Sequence, residues 1–193
     1  MGKKYIENVY TPPMTTFVAL LRGINVGGNK KVPMADLKKL LTKLGFENVS
    51  TLLNSGNASF DAKISDAKKL TLQLEKALQD FFGFPIPVIV RTKKELEALK
   101  KADPFKGIKV TADTRLYVTF LTEKPTSKLK IPYVSPGKEF RILQVTSGEV
   151  LSVLNVKDMG SVDAMAIVEK EFGKNVTTRN WNTVEKLLKS DAK

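Results

Sequence analysis

The sequence predicts an α+β protein. A ferredoxin-like, split βαβ subdomain is expected over residues 14–91, and a second, related or partial α+β subdomain packed on it over residues 92–193. Three observations carry this reading. Hydrophobic periodicity in the first part runs strand, helix, strand, strand, helix, strand. Ser55-Gly56 forms a tight turn between consecutive strands, which breaks the alternation a doubly wound sheet requires. A second pair, Ser147-Gly148, sits between two further apolar runs and reads as another hairpin.

The elements follow in order. Residues 17–21 are apolar and partly β-branched, as in a buried strand. Pro33 suits the first position of a helix. Leu37, Leu40, Leu41 and Leu44 keep helical spacing, and Gly45 is placed to end the run. Residues 49–53 and 57–60 form the first hairpin. Leu70, Leu74, Ala77, Leu78 and Phe81 mark a second helix closed by Gly83, and residues 87–90 supply a fourth strand. A helix over 94–102 stops at Asp103-Pro104. A strand over 116–121 precedes an irregular loop at 124–138, which contains Pro125, Pro132, Pro136 and Gly137. Strands over 140–145 and 150–154 bracket the second Ser-Gly turn, and helices follow over about 161–172 and 180–190. Phe81, Phe82, Phe84, Tyr117 and Phe120 read as core residues and not as a base-stacking platform. The order of elements in the second part partly echoes the first without a recognisable sequence repeat. Residues 1–13, punctuated by Pro12-Pro13, read as an extension outside the folded pattern.

Composition removes whole classes of chemistry. The chain has no cysteine and no histidine, which excludes thiol nucleophiles, thiolate or imidazole metal sites and His-based triads. The lack of cysteine fits a reducing cytoplasm. At 193 residues the chain buries roughly 70% of its unfolded surface, so the core needs no disulfide or metal. Neither a secretory signal nor a run long enough to span a membrane is present. Lys and Arg total 32 against 20 Asp and Glu, a net +12 shared evenly between the two parts. Such a field attracts nucleic acid, nucleotides or other anionic ligands, although lysine pairs such as Lys38-Lys39 and Lys68-Lys69 also suit solvated helix faces. Asp103, Asp113, Asp158 and Asp163 read as caps and surface, in no spacing that demands catalysis or a metal.

The candidate site is the segment Arg22-Gly23-Ile24-Asn25-Val26-Gly27-Gly28-Asn29-Lys30-Lys31. It follows a strand and leads into a helix. Gly23, Gly27 and Gly28 allow left-handed backbone that exposes amides, while Arg22, Lys30 and Lys31 add charge. The segment fits neither G-x-x-x-x-G-K-[ST], which would need Lys where Asn29 stands, nor G-x-G-x-x-G. In a split βαβ unit the first two strands run parallel, so Asn54, Ser55 and Asn57 are expected beside this loop, offering polar contacts to a ligand or serving the turn alone. A third feature is the segment 177–184. Its Thr or Asn residues could cap the last helix and Trp181 anchor it; alternatively Arg179 pairs with an anion and Trp181 stacks on a base.

Together the segment from Phe17 to Lys30, the later Asn54-Ser55-Gly56-Asn57 and the terminal Thr178-Arg179-Asn180-Trp181-Asn182-Thr183-Val184 resemble the DUF1697 family of uncharacterised bacterial proteins. The resemblance runs from about Met14 to Leu188. It implies a bacterial cytoplasmic protein with ferredoxin-like subdomains, and carries no activity, cofactor or catalytic residue. The functional expectation is a binding module for a phosphate-bearing ligand, nucleotide or nucleic acid. The alternatives are an enzyme on a phosphorylated or acidic metabolite, and a protein-interaction module.

Overall fold

A computed structural model describes residues 13–64, 66–157 and 163–189. The fold is mixed α+β, and its described part holds two antiparallel sheets and five helices. The first sheet contains β1 (Thr15–Leu21), β2 (Glu47–Leu52), β3 (Asn57–Ala62) and β4 (Val88–Thr92), in the order β2-β3-β1-β4. Helix α1 (Met34–Lys43) joins β1 to β2, and α2 (Ala67–Phe82) joins β3 to β4. Directly after β4 comes α3 (Lys93–Lys101). The second sheet contains β5 (Thr114–Leu121), β6 (Tyr133–Val134), β7 (Phe140–Val145), β8 (Glu149–Asn155) and β9 (Val176–Asn180), in the order β6-β7-β8-β5-β9. Helix α4 (Ala164–Phe172) precedes β9, and α5 (Trp181–Lys189) follows it without a break.

The continuous apolar run of β1 has a direct cause: both faces of the strand are buried. Phe17, Ala19 and Leu21 point into a core shared with α1 and α2, where Phe60 stacks on Phe46 with ring centroids 4.4 Å apart. Val18 and Leu20 point the other way, into a central core with Val118 and Phe120 of β5 and Leu151 and Val153 of β8. Leu96 of α3 and Val184 and Leu187 of α5 complete this central core. A third core lies on the outer face of the second sheet, against α4 and Leu129, Ile131 and Tyr133. The two parts are therefore fused through one apolar layer.

The second sheet repeats the strand order of the first. With β6 set aside, β7-β8-β5-β9 matches β2-β3-β1-β4, α4 matches α2, and α5 matches α3. One element has no counterpart. Where α1 connects β1 to β2, the segment 122–139 connects β5 to β7 with only the two-residue β6 inside it. The repeat extends to pairing: Phe17 faces Phe60 across β1 and β3, and Tyr117 faces Ser152 across β5 and β8. Ser152 is fully buried and its hydroxyl has no hydrogen-bond partner among the described residues.

The structure corrects several local expectations. Residues 176–180 form a strand, so Thr177 and Thr178 do not cap the last helix. Thr177 Oγ1 instead accepts from Arg179, and the Thr178 hydroxyl pairs with that of Thr119 at 2.8 Å. Polar side chains obscured this strand's period. Strand β2 begins at Glu47, before the expected start, and its register shifts between Glu47 and Ser50. Phe81 is half-exposed and packs edge-on against Phe82, outside the core clusters. Helix α4 begins at Ala164, capped by the Asp163 carboxylate, which accepts from the amides of Met165 and Ala166 at 3.0 Å. Asp158 and the expected start of that helix lie outside the described residues.

Candidate functional site

Strands β1 and β2 are both antiparallel to β3, so they run the same way and end at the same side of the sheet. The loop after β1 and the turn after β2 therefore meet. Asn25 joins them: its Nδ2 donates to the carbonyls of Asn54 at 2.7 Å and Val32 at 3.0 Å, and its Oδ1 accepts from the Val32 amide at 2.8 Å. Inside this clamp the loop forms a miniature hairpin. The amide of Asn25 donates to Lys30 O and that of Asn29 to Val26 O, with Gly27 and Gly28 at φ of 59° and 77°. Two consecutive left-handed residues are what a type I′ turn demands, and glycine meets the demand without steric cost.

Ile24 turns inward from the loop and is buried against Gly56. A Cβ on Gly56 would lie 2.6 Å from Ile24 Cδ1 and 2.8 Å from Leu21 Cβ, at a φ of +76°. Only glycine fits this contact. The charged side chains stay outside. Lys30 and Lys31 are exposed, and Lys30 Nζ reaches Pro85 O at the long distance of 3.5 Å. Arg22 meets Glu169 of α4 at 3.4 Å. Helix α1 starts just beyond Lys31 from Pro33, with no side-chain cap on its first amides, and Asp36 in its first turn offsets the positive end of its dipole. Gly23 is exposed, and so are Asn54 and Ser55 on the opposing turn. Val26 at the loop tip is 70% exposed and Leu53, at φ 59°, is 48% exposed.

Asn57 and Arg179 lie beneath this surface. Asn57 is completely buried, its Nδ2 donating to Leu52 O and Ser55 Oγ and its Oδ1 accepting from Arg179 Nε at 2.6 Å. Arg179, only 8% exposed, reaches across from β9. Its Nη1 donates to Thr177 Oγ1 and Thr178 O, and its Nη2 donates to Leu21 O at 2.7 Å and Ser55 O at 3.1 Å, with Gly56 O at 3.4 Å. Every N–H of the guanidinium is thus directed at a neutral acceptor of the protein. Burial lowers its pKa to about 10. Its place in the site is under the loop, holding the ends of β1 and the turn in position.

The structure therefore brings Arg22, Gly23, Asn25, Gly27, Gly28, Lys30, Lys31, Asn54 and Ser55 to one end of the first sheet, with Asn57 and Arg179 as their floor. Trp181 goes elsewhere. Its ring packs edge-on against Phe105 at 5.4 Å, as part of the central core. Arg91, which sequence reasoning passed over, makes contacts of the same kind as Arg179 on the second hairpin turn. The signal was a Ser-Gly pair followed by a polar residue in each hairpin. Among the described residues no group of three or more carboxylates could hold a metal, and no helix is long and apolar enough to cross a membrane.

These features define a two-sheet α+β protein whose second sheet copies the connectivity of the first. Residues 14–150 match the model of a protein family of unknown function, DUF1697, and the chain belongs to that family. The matched region ends before the Arg179 and Trp181 segment. Comparison with curated proteins gives no match. The structure is similar to that of the conserved bacterial protein SP0830 from Streptococcus pneumoniae, with a TM-score of 0.64 and 25% sequence identity over 92% of this chain and 98% of the other.

Proposed function

We propose that the chain is a binding module for a phosphate-bearing ligand, nucleotide or nucleic acid, at the loop 22–31. The observation that carries this reading is three cationic side chains on a loop held in one shape by Asn25. A preformed loop spends little ordering entropy on binding. On this reading the N-terminal part is a ferredoxin-like split βαβ unit, supported by its order β2-β3-β1-β4. The second part is a relative of it that lacks the first helix. A cytoplasmic location is supported by the absence of cysteine.

The test is fluorescence anisotropy with labelled single-stranded and duplex oligonucleotides and with a labelled nucleotide, at low and rising salt. For an oligonucleotide, log affinity should fall linearly with log salt. Replacing Arg22, Lys30 and Lys31 together by Gln should flatten the slope by about two to three units if each side chain meets a phosphate. No binding at low salt, or an unchanged slope, refutes the proposal. A protein partner is the second reading, favoured by the exposed pair Val26 and Leu53 beside the same cations.

A further inference from the structure

The internal repeat places a second location in register with the loop site. In the first half that location lies between the segment leaving β1, the turn before Gly56 and the end of α2 at Phe82. Its counterpart lies between the segment leaving β5, the turn before Gly148 and the end of α4 at Phe172. The two differ in filling. In the first half Ile24 plugs the gap against Gly56, and Asn25 ties the loop to the turn. In the second half neither device is present, and an open cleft of about 360 Å³ remains. That is within the range of small-molecule sites, roughly 300–1,000 Å³.

The walls of this cleft are Leu129, Ile131, Val145 and Phe172, with Lys124 and Ser147 among its polar lining residues. Two further hydroxyls on the wall are committed to the protein. Ser127 donates to Glu171 at 3.0 Å, and Thr146 to Glu149 at 2.6 Å. Lys124 is exposed, and no ion pair or hydrogen bond engages its ammonium among the described residues. The missing helix explains why a cleft persists. Helix α1 buries Leu37, Leu40 and Leu41 on the first sheet; the proline-rich segment 122–139 supplies only partly buried Leu129, Ile131 and Tyr133 on the second.

We infer that this cleft is a ligand site, distinct from the loop 22–31, for a small carboxylate with an apolar body. The body lies against Leu129, Ile131, Val145 and Phe172, and the carboxylate pairs with Lys124. The inference does not depend on the proposed role of the loop.

The experiment is a chemical-shift titration of the isotope-labelled full chain with octanoate and, separately, with 1-octanol. The expected result is saturable shifts centred on Leu129, Ile131, Ser147 and Phe172, with octanoate the tighter ligand. Lys124→Gln should weaken octanoate by about two- to fivefold, the strength of an exposed ion pair, and leave 1-octanol unchanged. Ser147→Trp, on an exposed turn, should fill the cleft and abolish binding of both. Shifts that do not saturate, or that centre on the loop 22–31, overturn the inference. So do equal affinities for the two probes, an octanoate affinity indifferent to Lys124→Gln, or binding that survives Ser147→Trp.

Discussion

Arg91 and Arg179 occupy equivalent places in the two halves of the molecule, and each clamps the half to which it does not belong. Arg91, the penultimate residue of β4, donates through Nη2 to Leu121 O at 2.8 Å and Gly148 O at 3.0 Å, and through Nε to Glu149 at 3.2 Å. Arg179 on β9 sends Nη2 to Leu21 O, Ser55 O and Gly56 O, and Nε to Asn57. Even the contact between strand end and turn is repeated: Leu21 N donates to Gly56 O, and Leu121 N to Gly148 O, both at 2.8 Å. The chemical difference lies at one position. Arg91 meets a carboxylate, whereas Arg179 meets an amide and carries its charge into the interior without a counter-ion among the described residues.

Removing Arg179 should therefore be costly even though no ion pair is broken. Arg179→Met would leave Asn57 Oδ1 and the carbonyls of Leu21 and Ser55 without the guanidinium donor, while Gly56 O keeps its bond from Leu21 N. Leaving buried acceptors unmatched costs about 1–3 kcal/mol each before relaxation, so a total loss of about 3 kcal/mol or more is expected in urea unfolding. Arg179→Lys keeps the charge but loses the planar fork, and should recover only part of that loss. A Met variant within about 0.5 kcal/mol of the parent, the range of ordinary surface changes, would show that the clamp carries no net stability.

The same group predicts a pH dependence. Burial lowers the Arg179 pKa to about 10, well below that of an exposed guanidinium, so above about pH 10 the unfolded chain holds this proton while the folded chain releases it. Stability rises with pH wherever the unfolded state binds more protons. The stability difference between the parent and Arg179→Met should be flat near neutrality. It should then widen in the parent's favour above the folded pKa, at a limiting slope of about 1.4 kcal/mol per pH unit. Denaturant titrations of both proteins up to about pH 11 read this directly, and a gap that narrows over the same range contradicts desolvation as the dominant cause.

Gly56 is a position where backbone freedom and close approach coincide. Gly56→Ala would place a methyl against Ile24 Cδ1 and Leu21 Cβ while holding a left-handed φ. A loss of about 2–4 kcal/mol is expected from overpacking and strain together. Ile24→Val in the same chain should return only part of it, because Leu21 Cβ is fixed by the strand. Gly28→Ala has the same sign of φ with open space around the new methyl, and should cost about 1–2 kcal/mol. Equal losses at the two glycines would remove the packing argument.

The order of elements in the first sheet was legible because its helices keep a clean 3.6-residue period and its strands are short apolar or alternating runs bounded by turn residues. Asn54, Ser55 and the loop were placed together by chain direction alone. Strand β9 was hidden because Thr177, Thr178 and Arg179 are polar residues that satisfy one another or reach across to the other half. No local pattern reports a partner that distant in sequence. The reach of Arg179 to Leu21 was invisible for the same reason. The second-half cleft was equally hidden, since it results from the absence of a helix that only comparison of the two sheets reveals.

Asn25 decides whether the loop 22–31 is a fixed surface or a loose connection. Its side chain bonds both to Val32, on its own loop, and to Asn54, on the opposite turn. Asn also tolerates the φ of 56° found there better than most residues. Asn25→Ala should cost about 1–2 kcal/mol globally, the sum of modest net contributions from exposed and half-exposed hydrogen bonds. Its larger effect should be local. The Val32 amide, which loses its acceptor, should exchange with solvent through local opening well before the amides of β1 do. Amide exchange on the parent and the variant separates the two effects. If Val32 stays as protected as Leu20 after the substitution, the buried Ile24 holds the loop and the Asn25 clamp does not.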